Sequence, residues 1–570
     1  MRRRFFYSII KTFLMRFIFK TYFQKSQRVR DTSLFALILG LAVSCSGSEQ
    51  QAARPPLMGW SSWNAFTVNI SDSIIRHQAD LLVERGLKGA GYRSVNIDDG
   101  FFGHRDERGY MTPHPVRFPG GSEQMRELVD YIHSLGLKAG IYSDAGDNTC
   151  GSMSKNLKDI NGIGAGMLMH DVQDADQYFN NWGFDFIKID YCGGFHLHLD
   201  EKERYERIRH VIDSVAGRHI DINICRWDYP GTWVENIADS WRVSGDIRPV
   251  WSSVESIVKR NLYLSAYARD GHYNDMDMLA VGYNLKPSPF FWEKGLGLDY
   301  SEEEAHFGMW CIMSSPLLLG CDIEYIPEET MRIITNPELI AVNQDPLGLQ
   351  AHVVQHEGDT YVLTKDVIRR RGPVRAVALY NPSDTEATFR VKPETLEFTG
   401  MMKVRDLNQR ADLAPCGVIE AVLPPHTAKI LRVKGKRVEP VLYEAEWGYC
   451  PDFTDIRGTG VKYVSDAGAS GRVVAMNLGG SETNYLEWTD VFCRRGGECG
   501  VSVCLSSPEP VDFKFVVNGV AYPASVAATG GRFVTVPFKV KLEAGDNNVR
   551  IADVGTTCAA FDCLRIDTKY

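Results

Sequence analysis

Short apolar segments alternate with amphipathic segments along the chain from about residue 55 to about residue 345. The apolar segments are rich in β-branched and aromatic side chains, which predicts buried strands. The intervening segments repeat apolar residues with a helical period, as in 71–87, where Ser71 is placed to cap the helix. The predicted strands are Leu57–Trp60, Arg93–Asp98, Lys138–Tyr142, Phe184–Asp190, Asp221–Cys225, Trp241–Ser244, His272–Asp275 and Ser315–Leu319.

Eight strand–helix alternations match an α/β protein of the (β/α)8 TIM-barrel type in both size and rhythm. A doubly wound open sheet is the alternative fold. That fold carries a glycine-rich phosphate-binding turn after its first strand, whereas the first strand here runs into GWSSWNAF. We therefore predict that residues 51–345 form a catalytic TIM barrel.

The pattern changes after residue 345 to a period of two residues, which is typical of antiparallel strands. Segments such as TYVLTKDV and AVALYN predict a small antiparallel β-sandwich over residues 346–436. A charged linker ends at Pro440, and 440–570 predict another all-β domain. An even set of cysteines there predicts disulfide staples. These cysteines are Cys450, Cys493, Cys499, Cys504, Cys558 and Cys563.

The first 50 residues have a different composition. Nine lysines and arginines and no acidic residue occur in the first 30 positions, followed by an apolar stretch that ends in LAVSC. This order is typical of a secretory signal, and its end resembles a bacterial lipobox with Cys45 as the lipidated residue. We assign residues 1–50 to a signal and lipoprotein segment and expect an exported, lipid-anchored protein, periplasmic or on the cell surface. A plain signal peptide with a chance cysteine is the alternative.

The net charge of the chain narrows the classes of partner. A formal charge of -9 and a pI near 5.9 argue against binding to nucleic acid. No interior stretch is long and apolar enough to predict a membrane span. We therefore expect contact with a membrane through the lipid anchor alone.

Polar side chains gather at the C-terminal ends of the predicted barrel strands, where TIM-barrel enzymes have their active sites. Taken singly, an aspartate closing a strand commonly caps the next helix, and a lysine commonly forms a salt bridge. Taken together, carboxylates accept hydrogen bonds from sugar hydroxyls and tryptophan stacks on a sugar ring, so the set predicts a carbohydrate pocket. Its members are Trp63, Asp98, Asp99, Tyr142, Lys188, Asp190, Arg226, Arg242, Asp246, Asp277 and Met278.

Two carboxylates that face each other across a glycosidic bond suffice to hydrolyse it, if one is ionised and the other protonated. Lys188 and Asp190 are two positions apart and therefore lie on the same side of their strand. A neighbouring cation lowers the pKa of a carboxyl group. We therefore expect Asp190 to be the ionised member of the pair.

Seven ordered motifs between residues 54 and 350 resemble glycoside hydrolase family 27, the family of α-galactosidases and α-N-acetylgalactosaminidases. The resemblance implies a retaining exo-hydrolase that releases terminal α-linked galactose from oligo- or polysaccharides by double displacement, without a catalytic cofactor. Asp190 would be the nucleophile, and Asp246 the general acid and then the general base. The motifs are PPLMGWSSWNAF, NIDDGF, GIYSDAGDNTC, FIKIDYCGG, SWRVSGDI, NDMDMLAVG and IAVNQDPLG.

The resemblance also implies roles for the other polar residues. Asp98 and Asp99 would bind the hydroxyls at C4 and C6, with Lys188 assisting near C3 and C4. Cys150 and Cys192 align with a disulfide of the family. The remaining implied contacts are Trp63 on the sugar face, Tyr142 and Arg242 as the frame of the site, and Asp277 with Met278 closing it.

The sequence departs from the family pattern on the fifth strand. Family α-galactosidases often have a glutamate there that binds the 2-hydroxyl, whereas this chain has Arg226. Arginine can donate to that hydroxyl, and its bulk argues against the acetamide of N-acetylgalactosamine. The Asp98–Asp99 pair favours galactose over L-arabinopyranose, which lacks a sixth carbon. β-L-Arabinopyranosides and α-N-acetylgalactosaminides stay open as alternative substrates.

The last domain resembles carbohydrate-binding modules of families 6 and 35 through LYEAEWG and AAFDCLRI. That resemblance implies a structural calcium ion held by Glu444, Glu446 and Asp562, since oxygen ligands suit Ca²⁺. The alternative is an accessory sandwich that only packs on the barrel.

Two other functional classes compete with hydrolysis. A barrel lyase would use Lys188 to form a Schiff base and would need that lysine to have a lowered pKa. A non-catalytic glycan-binding barrel would need neither carboxylate, yet both Asp190 and Asp246 are present.

Overall fold

The computed structural model describes residues 53–269, 271–283, 296–454 and 460–569. The predicted signal segment, with Cys45, lies outside the described residues. In the described ranges, no helix has both the length and the apolar character needed to cross a bilayer.

Eight of the first ten strands build the barrel. The ten strands are β1 (Met58–Ser61), β2 (Ser94–Asn96), β3 (Phe102–Arg105), β4 (Met111–Pro113), β5 (Lys138–Asp144), β6 (Phe186–Asp190), β7 (Asp221–Ile224), β8 (Ser240–Arg242), β9 (Tyr273–Asp275) and β10 (Leu317–Leu319). Apart from the β3–β4 hairpin, they form one sheet of eight strands in the order β10-β1-β2-β5-β6-β7-β8-β9. A parallel bridge between Leu279 and Leu319 joins its two ends. Every strand predicted for the barrel overlaps an observed one, and the TIM-barrel prediction is confirmed.

Helices connect the barrel strands. They are α1 (Trp63–Phe66), α2 (Asp72–Glu84), α3 (Leu87–Ala90), α4 (Gly121–Ser134), α5 (Cys150–Met153), α6 (Asp171–Ala175), α7 (Cys192–His196), α8 (Glu201–Ala216), α9 (Trp251–Asn261), α10 (Tyr300–Ile312), α11 (Glu328–Ile334) and α12 (Pro337–Asn343). Ser71 caps α2 as its sequence predicts, because its side chain accepts a hydrogen bond from the Ile74 amide. Helix α8 ends at Ala216, and Gly217 follows it with a φ of 62°, which suits the residue after a helix.

Antiparallel strands follow the barrel, as the two-residue period predicts. They are β11 (His352–Glu357), β12 (Thr360–Asp366), β13 (Val374–Asn381), β14 (Ala387–Val391), β15 (Phe398–Asp406), β16 (Ala411–Asp412), β17 (Ile419–Leu423) and β18 (Thr427–Arg437). Six of them form the sheet β11-β12-β13-β18-β15-β16, and β14 pairs with β17. Side chains from both sheets, such as Val377 and Phe389, share one apolar core.

The remaining strands form two further sheets. They are β19 (Leu442–Glu444), β20 (Lys462–Ser465), β21 (Val473–Met476), β22 (Leu486–Cys493), β23 (Gly497–Ser506), β24 (Val511–Val517), β25 (Val520–Val526), β26 (Val534–Leu542), β27 (Gly545–Ala552) and β28 (Ala560–Lys569). One sheet has the order β20-β21-β28-β23-β26, with β19 beside β28, and the other has the order β22-β27-β24-β25.

The prediction of disulfide staples in this last region is wrong. Cys450, Cys493, Cys504, Cys558 and Cys563 are free thiols, and three of these five are buried. A continuous apolar core that includes Trp488, Phe515 and Phe561 fills the region. Burial of such side chains stabilises a domain of this size without cross-links.

Candidate active site

Strands β2 and β6 place two opposite charges together at the barrel mouth. Lys188 Nζ lies 3.1 Å from Asp98 Oδ2, and the ammonium stands 5.5 Å from the centre of the Tyr142 ring. The Asp98 amide donates to the Ser62 hydroxyl at 2.9 Å, which fixes the end of β2 against the end of β1. Three of the predicted site residues therefore meet on adjacent strands.

Asp190 closes β6 and is only 5% exposed. Its Oδ1 atom is buried and makes no hydrogen bond within the described part of the chain. Burial raises the pKa of Asp190, and the charge of Asp98 adds to that effect, while Lys188 opposes it. Lys188 thus lowers the pKa of Asp190, as its position on the strand predicts, but burial is the larger effect and the net shift is upward. The assignment of Asp190 as the ionised member of the pair stays a prediction.

Lys188 keeps its proton. Burial disfavours its charge, but the carboxylates of Asp98 and Asp190 outweigh burial and raise the pKa of Lys188 well above its ordinary value. A Schiff-base nucleophile requires a neutral amine and hence a lowered pKa. The electrostatics of the site thus disfavour the lyase alternative.

Arg242 links two more of the predicted carboxylates. Its Nη2 atom lies 3.1 Å from Asp246 Oδ1 and 3.0 Å from Asp277 Oδ2. The Asp277 side chain is 5% exposed, whereas that of Asp246 is 46% exposed. Burial raises the pKa of Asp277 to about 6, although Arg242 opposes this. Arg242 therefore bridges the buried carboxylate of Asp277 and the partly exposed carboxylate of Asp246.

Asp277 also organises the backbone around it. Its carboxylate accepts hydrogen bonds from the amides of Ile247 and Met278, at 2.8 and 2.7 Å. Its own φ of 77° is unusual for a residue with a side chain. Met278 follows, 6% exposed, and lines the same narrow cavity as Asp98, Lys188 and Arg242.

Asp99 lies deeper than its neighbour Asp98. It is 1% exposed, and its Oδ2 atom accepts a hydrogen bond from the Gly151 amide at 2.8 Å. Burial raises the pKa of Asp99 to about 7. A β-carbon on Gly151 would come within 2.7 Å of that oxygen, so glycine is required at this close approach. The implied contact of Asp99 with the sugar stays a prediction.

The disulfide implied for Cys150 and Cys192 is present and joins α5 to α7. The sequence interpretation left Asp144 out of the site, although it closes β5. Its carboxylate accepts hydrogen bonds from the amides of Gly146, Cys192 and Gly193, at 2.6, 2.7 and 3.0 Å. Asp144 therefore holds the first residues of α7, including Cys192, at the ends of β5 and β6. The position of Asp144 at the end of a predicted strand is the sequence feature that could have identified it.

Arg226 does not stand alone at the end of β7. Its Nε atom lies 2.5 Å from Glu201 Oε1, at the first residue of α8. Glu201 is a second residue that the sequence interpretation missed, because an acidic residue in the first turn of a helix is commonplace. Trp63 is half-buried at the start of α1. The roles of Arg226 and Trp63 toward a sugar stay predictions.

Comparisons with known proteins agree with this geometry. A family model described as alpha galactosidase A matches residues 55–345. The chain belongs to this family. Alpha-galactosidase 3 of Arabidopsis thaliana is 39% identical over 66% of this chain and 80% of its own length. Alpha-galactosidase A of Cellvibrio japonicus is 36% identical over 62% of this chain and 83% of its own.

A solved structure of the family shares the fold. The crystal structure of alpha-galactosidase I from Mortierella vinacea superposes with a TM-score of 0.59 at 29% identity, covering 68% of this chain and 98% of that one. Mouse alpha-N-acetylgalactosaminidase is a more distant relative, 33% identical over 55% of this chain and 74% of its own.

Replacing Lys188 tests the electrostatics of the family site. In Lys188→Met, the pKa of Asp190 should rise further, because the neighbouring cation that lowers it is gone. The acidic limb of the pH profile of kcat/KM should therefore move to higher pH, since the ionised form persists over a narrower range. Measuring that profile on an α-galactoside checks the expectation.

Lys138→Met is the matched control, because Lys138 is an exposed lysine at the N-terminal end of β5, opposite to the barrel mouth. It should leave the profile unchanged. An acidic limb in Lys188→Met that coincides with that of the unaltered enzyme would contradict the assignment.

Proposed function

We propose that the protein is an exo-acting α-galactosidase that hydrolyses terminal α-linked galactose from oligo- or polysaccharides. The observation that carries the proposal is a pair of carboxylates in opposite environments at one barrel mouth. Asp190 is 5% exposed beside Lys188, whereas the Asp246 side chain is 46% exposed beside Arg242. Membership of the α-galactosidase family supports glycoside hydrolysis as the reaction that this pair performs.

The mechanism is a double displacement. Asp190 attacks the anomeric carbon, and Asp246 gives its proton to the leaving oxygen, which departs as the alcohol. Asp246, now ionised, takes a proton from water, and the resulting hydroxide displaces Asp190 from the sugar. Two inversions retain the configuration of the anomeric carbon. Every proton lost by Asp246 in the first step returns in the second, and no cofactor takes part.

The residues around the pair bind and orient the sugar. Lys188 and Asp98 offer a donor and an acceptor 3.1 Å apart, a spacing that suits two adjacent hydroxyls of one ring. Arg242 holds Asp246 in place from its anchor on Asp277. Arg226 supplies donors toward the 2-hydroxyl, and its bulk supports galactose rather than N-acetylgalactosamine as the substrate.

We assign residues 51–345 to the catalytic barrel, 346–436 to a β-sandwich and 440–570 to a module of the carbohydrate-binding type. We also propose that the protein is exported and anchored through lipidated Cys45. The charge pattern of the first 50 residues supports this location.

The acidic cluster of the last module suits a calcium ion. Glu444, Glu446 and Asp562 are each at most 5% exposed, and Ser470 Oγ donates to Glu444 at 2.6 Å and to Asp562 at 3.0 Å. Burial and the neighbouring carboxylates raise the pKa of Glu446 well above its ordinary value, and its Oε2 atom has no hydrogen-bond partner among the described residues. Three buried carboxylates exceed the single nearby positive charge of Arg565, and such an excess fits a hard cation with oxygen ligands. These three residues would hold it.

Initial rates on three nitrophenyl glycosides test the activity. We expect the α-galactoside to be hydrolysed much faster than the α-N-acetylgalactosaminide or the β-L-arabinopyranoside. The first sugar product seen by NMR should be α-galactose, because the configuration is retained. A dominant rate on another glycoside would refute the galactose assignment, and β-galactose as the first product would refute double displacement.

A variant of the nucleophile tests the residue assignment. Asp190→Asn should lower the rate on the α-galactoside to background, since an amide forms no glycosyl ester. Asp213→Asn is the control, because Asp213 is an exposed residue of α8. Retention of full activity in Asp190→Asn would refute the mechanism.

Calcium should stabilise the last module. Adding CaCl2 to the chelator-treated protein should raise Tm by roughly 5 °C or more at saturating metal, because a ligand that binds only the folded state stabilises it. Glu446→Gln should abolish the increase, while Glu482→Gln, at an exposed glutamate of the same module, should keep it. A Tm that does not respond to calcium in the unaltered protein would contradict the site.

A further inference from the structure

The loop between β7 and β8, residues 225–239, carries Arg226 at the barrel mouth and is contacted from outside by the last module. The contacting residues are Tyr449–Phe453, which we call the docking segment. Thr232 Oγ1 donates to the Pro451 carbonyl at 2.5 Å, and the Tyr449 hydroxyl lies 3.5 Å from a carboxylate oxygen of Glu235. The module thus contacts a loop of the active site directly.

Apolar packing excludes water from this contact. The Phe453 ring lies 5.3 Å from Tyr229 of the loop and is stacked 4.8 Å from Tyr267, on a neighbouring part of the barrel. Phe453, Tyr229 and Tyr267 are 7%, 3% and 0% exposed. Aromatic side chains buried to this degree dominate the stability of an interface. The docking segment is therefore fixed on the barrel rather than tethered to it.

The contact continues inward to the nucleophile strand. Trp233, next to Thr232, is stacked on Tyr205 with 6.1 Å between ring centres, and Tyr205 is stacked on Tyr191 at 5.6 Å. The Tyr205 hydroxyl lies 3.1 Å from the Ile189 carbonyl and 3.3 Å from that of Asp190. An aromatic stack therefore connects the loop held by the docking segment with the residue that attacks the sugar.

The loop is also held on its inner side. Arg226 pairs with Glu201, and Arg260 Nη1 lies 2.9 Å from Asp228 Oδ1. Between them, Trp227 has a φ of 67°, a backbone conformation that bulky residues adopt only when their surroundings impose it. A loop with such a residue keeps its shape only while its contacts on both sides persist.

We propose that the docking segment is a positioning element of the active site, and that the last module belongs to the catalytic unit. It holds the β7–β8 loop so that Arg226 faces the sugar and the aromatic stack supports β6. This inference rests on the proposed α-galactosidase activity. It assigns Phe453 and Thr232 an indirect role in substrate recognition, since neither belongs to the catalytic pair.

A small substrate distinguishes a positioning role of the module from a role in attaching the enzyme to a polysaccharide. A module that only brings the enzyme to a polymer leaves the hydrolysis of a small glycoside unchanged. A positioning element changes it, because a displacement of about 1 Å at a reacting group can cost a hundredfold in rate. Nitrophenyl α-galactoside is therefore the substrate of choice.

Phe453→Ala should lower kcat/KM on nitrophenyl α-galactoside by about tenfold or more, mainly through KM. The preference for this substrate over its 2-deoxy analogue should shrink, because Arg226 is displaced. Phe453→Tyr should restore most of the activity. Thr232→Val, which removes one hydrogen bond and carries little risk of misfolding, should show a smaller change in the same direction.

Phe538→Ala is the control, because Phe538 is stacked on Phe515 within the same module, at 4.5 Å. It should lower Tm without altering KM. Unaltered kinetics in folded Phe453→Ala and Thr232→Val would overturn the inference, as would an equal rise in KM in Phe538→Ala. An unaltered protein that is inactive on α-galactosides would refute the proposed function instead.

Discussion

The burial of charge at the mouth of the barrel is the constraint on which the rest of the site depends. Asp98, Asp190 and Asp277 are each at most 5% exposed, and a carboxylate buried without a partner is strongly destabilising. Lys188 and Arg242 supply the compensating charges, on neighbouring parts of one sheet. Because parallel strands bring their C-terminal ends to one edge, the fold makes this compensation possible.

The two cations have different consequences for chemistry. Lys188 is the cation that limits how far burial raises the pKa of Asp190, the proposed nucleophile. Arg242 reaches from the buried Asp277 to Asp246, which stays in contact with solvent. In the proposed mechanism, the buried carboxylate attacks the sugar and the exposed one transfers the proton. A single electrostatic arrangement therefore serves both stability and the separation of catalytic roles.

The sequence was sufficient for those features that depend on local pattern. Strand periodicity located all eight strands of the barrel sheet, and the family resemblance implied the Cys150–Cys192 disulfide. Positions at strand ends brought Asp98, Lys188 and Arg242 to one cavity, as predicted. It was insufficient where a property depends on distant parts of the chain. The net direction of the pKa shift of Asp190 depends on burial, and the pairing of Arg226 depends on Glu201, which a helix brings from elsewhere. Neither the direction of the pKa shift nor the Arg226–Glu201 pair can be inferred from the spacing of residues along the chain.

The same reasoning applies to the last module. Its cysteines suggested cross-links, whereas its apolar core is continuous with that of the barrel through residues such as Tyr267 and Phe453. A region stabilised by burial against a neighbour cannot move independently of that neighbour. The barrel carries Arg226, and its Tyr205 contacts the end of β6. A change in the packing of the last module on the barrel therefore affects the residues around the active site as well.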